Sequence, residues 1–342
     1  MRKILIFLLS FIIIAALVVG LLFRQWIWGP NVKEDLTKTE FKIPTGSNYN
    51  DVLRLLKKNK ILYNYTSFDF IAGVMKYKKD KVAPGRYILK GGMSNRELIS
   101  MLRAGLQTPL NITFNNVRTV EELVGRISRY IEADSTEIVK LLHDSTYIAK
   151  LGYNKYNILT MFIPNTYQFF WNTDPEEFLE RMKKEHDKFW NNKRLEKANK
   201  IGLNPVEVFT LASIVEKETL ANVEKPVIAS VYLNRLKKGM LLQADPTVVY
   251  ATQNFKLKRV LNKHLKVESP YNTYLNKGLP PGPICMPDVG TIDSVLNAKD
   301  TDYLFFCAKP NGHGRHAFAK TNRQHINNAN KYRRWLNKNK IN

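Results

Sequence analysis

The 342-residue chain sets 53 Lys and Arg against 30 Asp and Glu, a formal charge of +23. Its length suits about two domains, enough to bury a real core, and so positive a chain favours anionic neighbours: nucleic acid, anionic lipid or an anionic polymer. The basic residues are scattered, no zinc-finger spacing or aromatic RNA-binding signature accompanies them, and the two cysteines, Cys285 and Cys307, make no Cys-x-x-Cys pair, which sets aside nucleic acid, structural zinc, a redox motif and a disulfide framework.

The chain opens with the basic residues Arg2 and Lys3. An apolar run from Ile4 to Phe23 follows, broken only by Ser10 and Gly20. At roughly 1.5 Å per residue it spans a ~30 Å hydrocarbon core. No small-x-small cleavage site follows, and Trp26 and Trp28 suit an interfacial belt. The expectation is an uncleaved anchor with a cytoplasmic N-terminus and the rest of the chain outside the cytoplasm. Residues 24–40 read as a linker.

Residues 41–107 read as a small α+β module. Phe41–Ile43 and Arg86–Leu89 are strand-like, helices are expected around Val52–Leu56 and Phe68–Met75, and Ser94-x-x-Glu97 is a capping box before another helix. Residues 108–150 read as a connecting α+β piece. Here Ile112–Phe114 is strand-like, Thr119-x-x-Glu122 caps a helix through Ile131, and Asp134-x-x-Glu137 caps another to His143.

From Tyr153 aromatics and prolines increase. Met161–Phe170 is apolar and irregular, suited to the core or to stacking on sugar rings. A long polar helix is expected from Thr173 to about Asn199. Then Asn204-Pro205-Val206-Glu207 supplies an N-cap, a proline at the first helical position and a capping box, which predicts a helix from Pro205 to about Leu220. Val208, Leu211, Ala212 and Val215 form an apolar stripe along it. Glu218 falls on or beside that stripe, and Glu216 points nearly opposite. A carboxyl sheltered at the end of an apolar stripe keeps its proton towards neutral pH, as an acid that protonates a leaving glycosidic oxygen must; the helix pattern alone equally allows a solvated residue of the last turn or one paired with a neighbouring Lys.

A helix from Lys225-Pro226 to Gly239 is expected next, then loops: Leu242–Tyr250, Ser269–Tyr274 and the rigid Gly278-Leu279-Pro280-Pro281-Gly282 turn. Tyr303–Cys307 reads as a buried strand and Asn327–Lys340 as a basic helix.

These pieces, in this order, resemble the endolytic murein transglycosylases, the MltG (YceG-like) family. The residues that carry the resemblance are Ala212–Thr219, Asn234-Arg235-Leu236, Leu242–Tyr250, Tyr271–Tyr274, Gly278–Gly282, His316-x-Phe318 and His325. The strand–helix–helix–strand module resembles the LysM fold, which binds peptidoglycan. The resemblance implies an α+β protein with an N-terminal transmembrane helix, a LysM-like subdomain and a mixed α+β catalytic domain over 151–342. The implied location is the inner membrane, single-pass, with the catalytic domain periplasmic.

The implied reaction is a lyase cleavage of glycan strands between N-acetylmuramic acid and N-acetylglucosamine, leaving 1,6-anhydro ends. Glu218 is the implied catalytic residue, with Glu216 as fallback. Substrate contacts are expected from Gln243, Asp245, Thr247, Tyr250, Tyr271, Asn272, Thr273, Tyr274 and His316, with His313 the rival of His316. The loop residues among them serve equally well to knit loops together. No cofactor or metal is expected, and peptidoglycan synthases are the implied protein partners. A hydrolase using Glu218 with Asp245 and a non-catalytic wall-binding scaffold are the alternatives.

Overall fold

The computed structural model describes residues 2–36, 38–257, 259–310 and 314–339. The chain forms two compact units: Met1–Ile112 with Tyr130–Ala133 and Gln168–Asp174, and Thr113–Arg129 with Asp134–Tyr167 and Pro175–Asn342. The stretch 108–150 is therefore divided between them.

In the first unit, α1 (Arg2–Trp28) contains a segment, Lys3–Trp28, long and apolar enough to cross a membrane by length and composition. Strand β1 (Thr39–Ile43), α2 (Tyr49–Lys58), α3 (Tyr65–Val74), β2 (Gly85–Leu89) and α4 (Asn95–Arg103) follow. The strands pair antiparallel, Phe41 opposite Tyr87 and Ile43 opposite Gly85. The two-residue period of a strand turns Phe41, Ile43, Tyr87 and Leu89 to one buried side. The capping box at Ser94 and Glu97 forms as the sequence predicts.

Part of the expected linker is instead woven into this unit. Val32 is fully buried, and the Asn31 side chain donates to Asn95 Oδ1 at 2.6 Å and accepts from the Asn64 backbone at 2.7 Å. Local polarity concealed this, because these asparagines are satisfied by one another rather than by water.

Strand β3 (Leu110–Phe114) passes from the first unit into the second at Thr113, and α5 (Val120–Ile127), α6 (Ser135–His143), α7 (Ser145–Lys150), a short 3₁₀ turn (Ile158–Met161) and β4 (Asn165–Phe169), which pairs with β3, follow. Next come α8 (Pro175–Phe189), α9 (Asn192–Lys200), α10 (Pro205–Glu218), α11 (Lys225–Lys237), α12 (Asp245–Ala251) and α13 (Val289–Leu296). The chain closes with β5 (Phe305–Ala308), β6 (His316–Ala319) and α14 (Asn322–Lys338); β5 and β6 pair antiparallel.

Several expectations shift. The long polar helix is two, because Asn191 caps a new start by accepting from the Arg194 amide. Strand β5 starts later than expected and is half-buried rather than buried. The Leu242–Tyr250 loop contains α12, whose start is Asp245 with Pro246 beside it. Within α10, every residue from Val208 to Val215 is buried, so it is not a surface helix with one apolar stripe. Helices α9, α11, α12 and α13 pack around it. Each fully buried Val or Leu there contributes about 1.5–3 kcal/mol.

Candidate active site

Asn204 and Glu207 cap α10 reciprocally, and the helix runs to Glu218, its last residue; Thr219 is already extended at φ −149°. The side chain of Glu218 thus leaves the core where the helix ends. On the neighbouring α11, the Tyr232 hydroxyl donates to Glu218 Oε1 at 2.6 Å. The Tyr232 ring is held edge-on by Phe306, with centroids 5.9 Å apart. Three residues along α11, and so on the same face, Arg235 donates to the Leu304 and Leu242 carbonyls, each at 2.7 Å. It ties the approach to β5 and the loop before α12 to one helix.

That loop is fixed from below. The Gln243 amide donates to the Thr273 carbonyl at 3.1 Å, the Ala244 amide to Thr273 Oγ1 at 3.0 Å, and the Thr247 and Thr273 hydroxyls lie 2.8 Å apart. Asn272 donates to the Leu265 and Val267 carbonyls. Gln243 takes φ +50°, a left-handed conformation uncommon for a residue with a Cβ. Such strain persists where its surroundings enforce it, here the double grip of Thr273. The Tyr274 hydroxyl donates to Asp245 Oδ1 at 2.6 Å.

Glu218 and Asp245 line two cavities at once. The larger, about 510 Å³, also takes in Arg118, Lys217, Tyr250, Phe255 and Arg259. The smaller, about 260 Å³, takes in Tyr232, Gln243, Tyr274, Phe306 and His325. The carboxyl pair therefore stands at a junction with space on either side, the arrangement an internal bond of a polymer needs.

Burial pushes the Glu218 carboxyl up to about 7, against the opposing hydrogen bond from Tyr232, with the Asp245 charge raising it further and Arg235 lowering it. Its place at the negative end of the α10 dipole acts in the same direction as burial. His325 is held below the usual histidine range by burial, then by Arg235, and its buried Nδ1 has no hydrogen-bond partner among the described residues. Its ring stacks on Phe305 at 5.4 Å.

Of the residues the sequence singles out, Glu218, Gln243, Asp245, Tyr250 and Tyr274 come together on these two cavities. Tyr271 lies 4.6 Å from the Tyr250 ring and lines a third space of about 160 Å³ with it. Thr247, Asn272 and Thr273 are 0%, 0% and 1% exposed, which takes them out of reach of a ligand and gives them the loop-knitting role. His316 is likewise no lining residue of either cavity: its Nδ1 lies 3.0 Å from Glu224 Oε2, and its ring packs edge-on against Phe306. His313 lies outside the described residues. Glu216 is engaged by Lys225 at 3.1 Å and by the Thr291 hydroxyl.

Among the lining residues not singled out as site residues are Tyr232, Arg235 and His325. Tyr232 sits in an apolar run that reads as core, Arg235 looks like one of many basic residues, and His325 lies far along the chain in α14. For Arg235 and His325 the motif positions themselves were the available signal.

A sequence profile described as the YceG-like family matches residues 41–331. The chain belongs to that family. Among YceG-like relatives, the protein named endolytic murein transglycosylase of Bacillus subtilis (strain 168) is 32% identical over 332 residues, covering 91% of this chain and 89% of that protein. The protein of the same name in Streptococcus pneumoniae (strain D39) is 28% identical over 298 residues, which cover 78% of this chain but 53% of that longer protein. In three dimensions the chain is similar to the crystal structure of a yceG-like protein from Listeria monocytogenes, with a TM-score of 0.56 at 28% identity over 85% of this chain and 98% of that one.

Proposed function

We propose that this chain is a membrane-anchored endolytic transglycosylase that cuts peptidoglycan glycan strands internally and leaves 1,6-anhydromuramyl ends. The observation that carries the reading is Glu218: a carboxyl raised to about 7, at the junction of two cavities, in a YceG-like chain whose relatives bear the name endolytic murein transglycosylase.

Glu218 serves as acid and then as base. Protonated, it gives its proton to the glycosidic oxygen as the bond from muramyl C1 to that oxygen breaks. The C6 hydroxyl of the same muramyl residue attacks C1, and its proton passes to the Glu218 carboxylate. The acid is regenerated and no water is consumed. The nucleophile belongs to the substrate, so its effective concentration is high. Tyr232 holds one carboxyl oxygen and leaves the other for the substrate. Asp245, fixed by Tyr274, favours the protonated form of Glu218 and stabilises positive charge as it develops at C1. Gln243, Tyr250 and Tyr274 bind sugar hydroxyls and acetamido groups, and Tyr271 supports Tyr250.

The strand–helix–helix–strand order of β1, α2, α3 and β2 supports a LysM-like reading of the first unit, a second hold on the polymer. Arg2 and Lys3 before the apolar helix support a cytoplasmic N-terminus, with the chain that follows α1 on the outer side. The test is a digest of purified glycan strands by the full chain, read by mass spectrometry. Anhydro ends that disappear with Glu218→Gln, in a variant that remains folded, support the proposal. Reducing ends indicate the two-carboxylate hydrolase, and binding without cutting indicates a scaffold.

A further inference from the structure

The two cavities that meet at Glu218 differ in charge. Among the described residues, three cations stand around the larger, Arg118, Lys217 and Arg259. None has a carboxylate within ion-pair distance among the described residues. The Lys217 ammonium donates to the neutral Asn116 side chain at 2.7 Å, and the Arg118 guanidinium lies over the Phe255 ring at 4.6 Å. Around the smaller cavity the one cation among the described residues, Arg235, is 8% exposed and donates to backbone carbonyls. One side of the junction therefore presents uncommitted positive charge, and the other presents neutral donors, rings and a committed guanidinium.

The proposed substrate has a matching asymmetry. One sugar of its repeat carries a lactyl ether and a peptide stem with carboxylates. The other carries only hydroxyls and an acetamido group. Gathering cations that no carboxylate pairs with, in a cavity whose carboxyls Glu218 and Asp245 are held by Tyr232 and Tyr274, costs stability through their mutual repulsion. A ligand carboxylate offsets that cost, with charge-assisted hydrogen bonds that a neutral sugar lacks.

Resting on the transglycosylase reading, we propose that the larger cavity takes the muramyl residue on the non-reducing side of the cut, and that Arg118 and Lys217, with Arg259, bind carboxylates of its peptide stem. The glycan then lies across the site in one direction only. The leaving N-acetylglucosamine occupies the smaller cavity, beside Gln243, Tyr274 and His325. The anhydro end forms in the cationic cavity, whose greater volume suits the more substituted sugar.

The test compares two glycan preparations that differ only in the stem: carboxylates free, or converted to primary amides. The full-length wild-type chain is expected to cut the free-carboxylate strands with about tenfold higher kcat/KM, the scale of one charge-assisted contact. The preference should shrink with added salt and fall to within about twofold in the Arg118→Gln/Lys217→Gln chain. In parallel, the Glu218→Gln chain is titrated with a soluble muramyl-peptide in both forms, and the free-carboxylate form should bind about tenfold more tightly. Equal cutting and equal binding of both forms overturns the charge assignment and leaves the transglycosylase reading standing. A binding preference in a wild-type chain that cuts neither form supports the charge assignment and overturns the transglycosylase reading. A preference that survives in the double variant overturns the assignment to these residues.

Discussion

The Tyr232 hydroxyl donates to Glu218 Oε1 at 2.6 Å, from a ring on α11 to a carboxyl at the end of α10. This bond stabilises the charged form of Glu218, whereas burial and the neighbouring Asp245 favour the protonated form. The balance leaves the carboxyl near 7, poised to give up a proton and take one back.

Opposite substitutions should move this balance in opposite directions. If the protonated acid starts the reaction, kcat/KM is level in mildly acidic buffer and falls as pH rises through about 7. Tyr232→Phe removes the bond that favours the carboxylate, so the alkaline limb moves to higher pH. Asp245→Asn removes a charge that favours the proton, so the limb moves to lower pH. Profiles of kcat/KM against pH for the three proteins check this; two shifts of the same sign contradict it.

The raised carboxyl also weakens the fold. Its stabilising contribution is complete below the unfolded-state value and is lost as pH rises through about 7. Glu218→Gln carries no such charge. The variant should be more stable than wild type at pH 8 by about 3 kcal/mol, and the gap should close below about pH 4. Denaturant melts at the two pH values measure it.

Glu216 is expected to matter for folding rather than for cutting. Its side chain and that of Lys225 are 16% and 6% exposed, and the Lys225 ammonium also donates to Thr291 at 2.7 Å. Lys225→Met leaves the Glu216 carboxylate sheltered without its cation and should cost about 3 kcal/mol. Glu216→Gln should retain at least about a tenth of wild-type cutting. An inactive Glu216→Gln chain with an unchanged melting temperature would falsify this division of roles.

Gly282 should tolerate no side chain. A Cβ there would lie 1.8 Å from the Tyr156 carbonyl oxygen, a backbone atom that cannot swing away. Gly282→Ala forces one of the two segments to move and should destabilise the unit by about 3 kcal/mol. Thermal melts of the variant read this directly. By contrast, Gly290→Ala on α13 meets nothing within 4 Å and serves as the control.

Signals confined to a few neighbouring residues were readable in the sequence. The capping boxes at Ser94, Asp134 and Asn204 form where their spacing placed them, and the helix through Pro205 ends within two residues of the expected point. Glu218 could be found because one polar residue broke an apolar period. The reason for its environment was not readable. The helix is buried all round, and Glu218 escapes because it stands at the end. Its surroundings came from afar: its hydrogen-bond partner Tyr232 from within an apolar run, and His325, which lines the same cavity, from the last helix. Thr247, Asn272 and Thr273 show the opposite failure, since a polar motif reads the same whether its side chains face a ligand or one another. Helix α13 was missed as well, having no capping hydrogen bond from its Asp288 side chain and a Pro-rich approach.

The most direct test of the central claim is digestion of glycan strands by the full-length chain in water enriched in oxygen-18. An internal attack by the muramyl C6 hydroxyl consumes no water, so the new ends should be anhydro sugars with no added label, and none should form with Glu218→Gln. New ends that each carry one oxygen-18 atom would mean that water is the nucleophile, contradicting the role given to Glu218 alone.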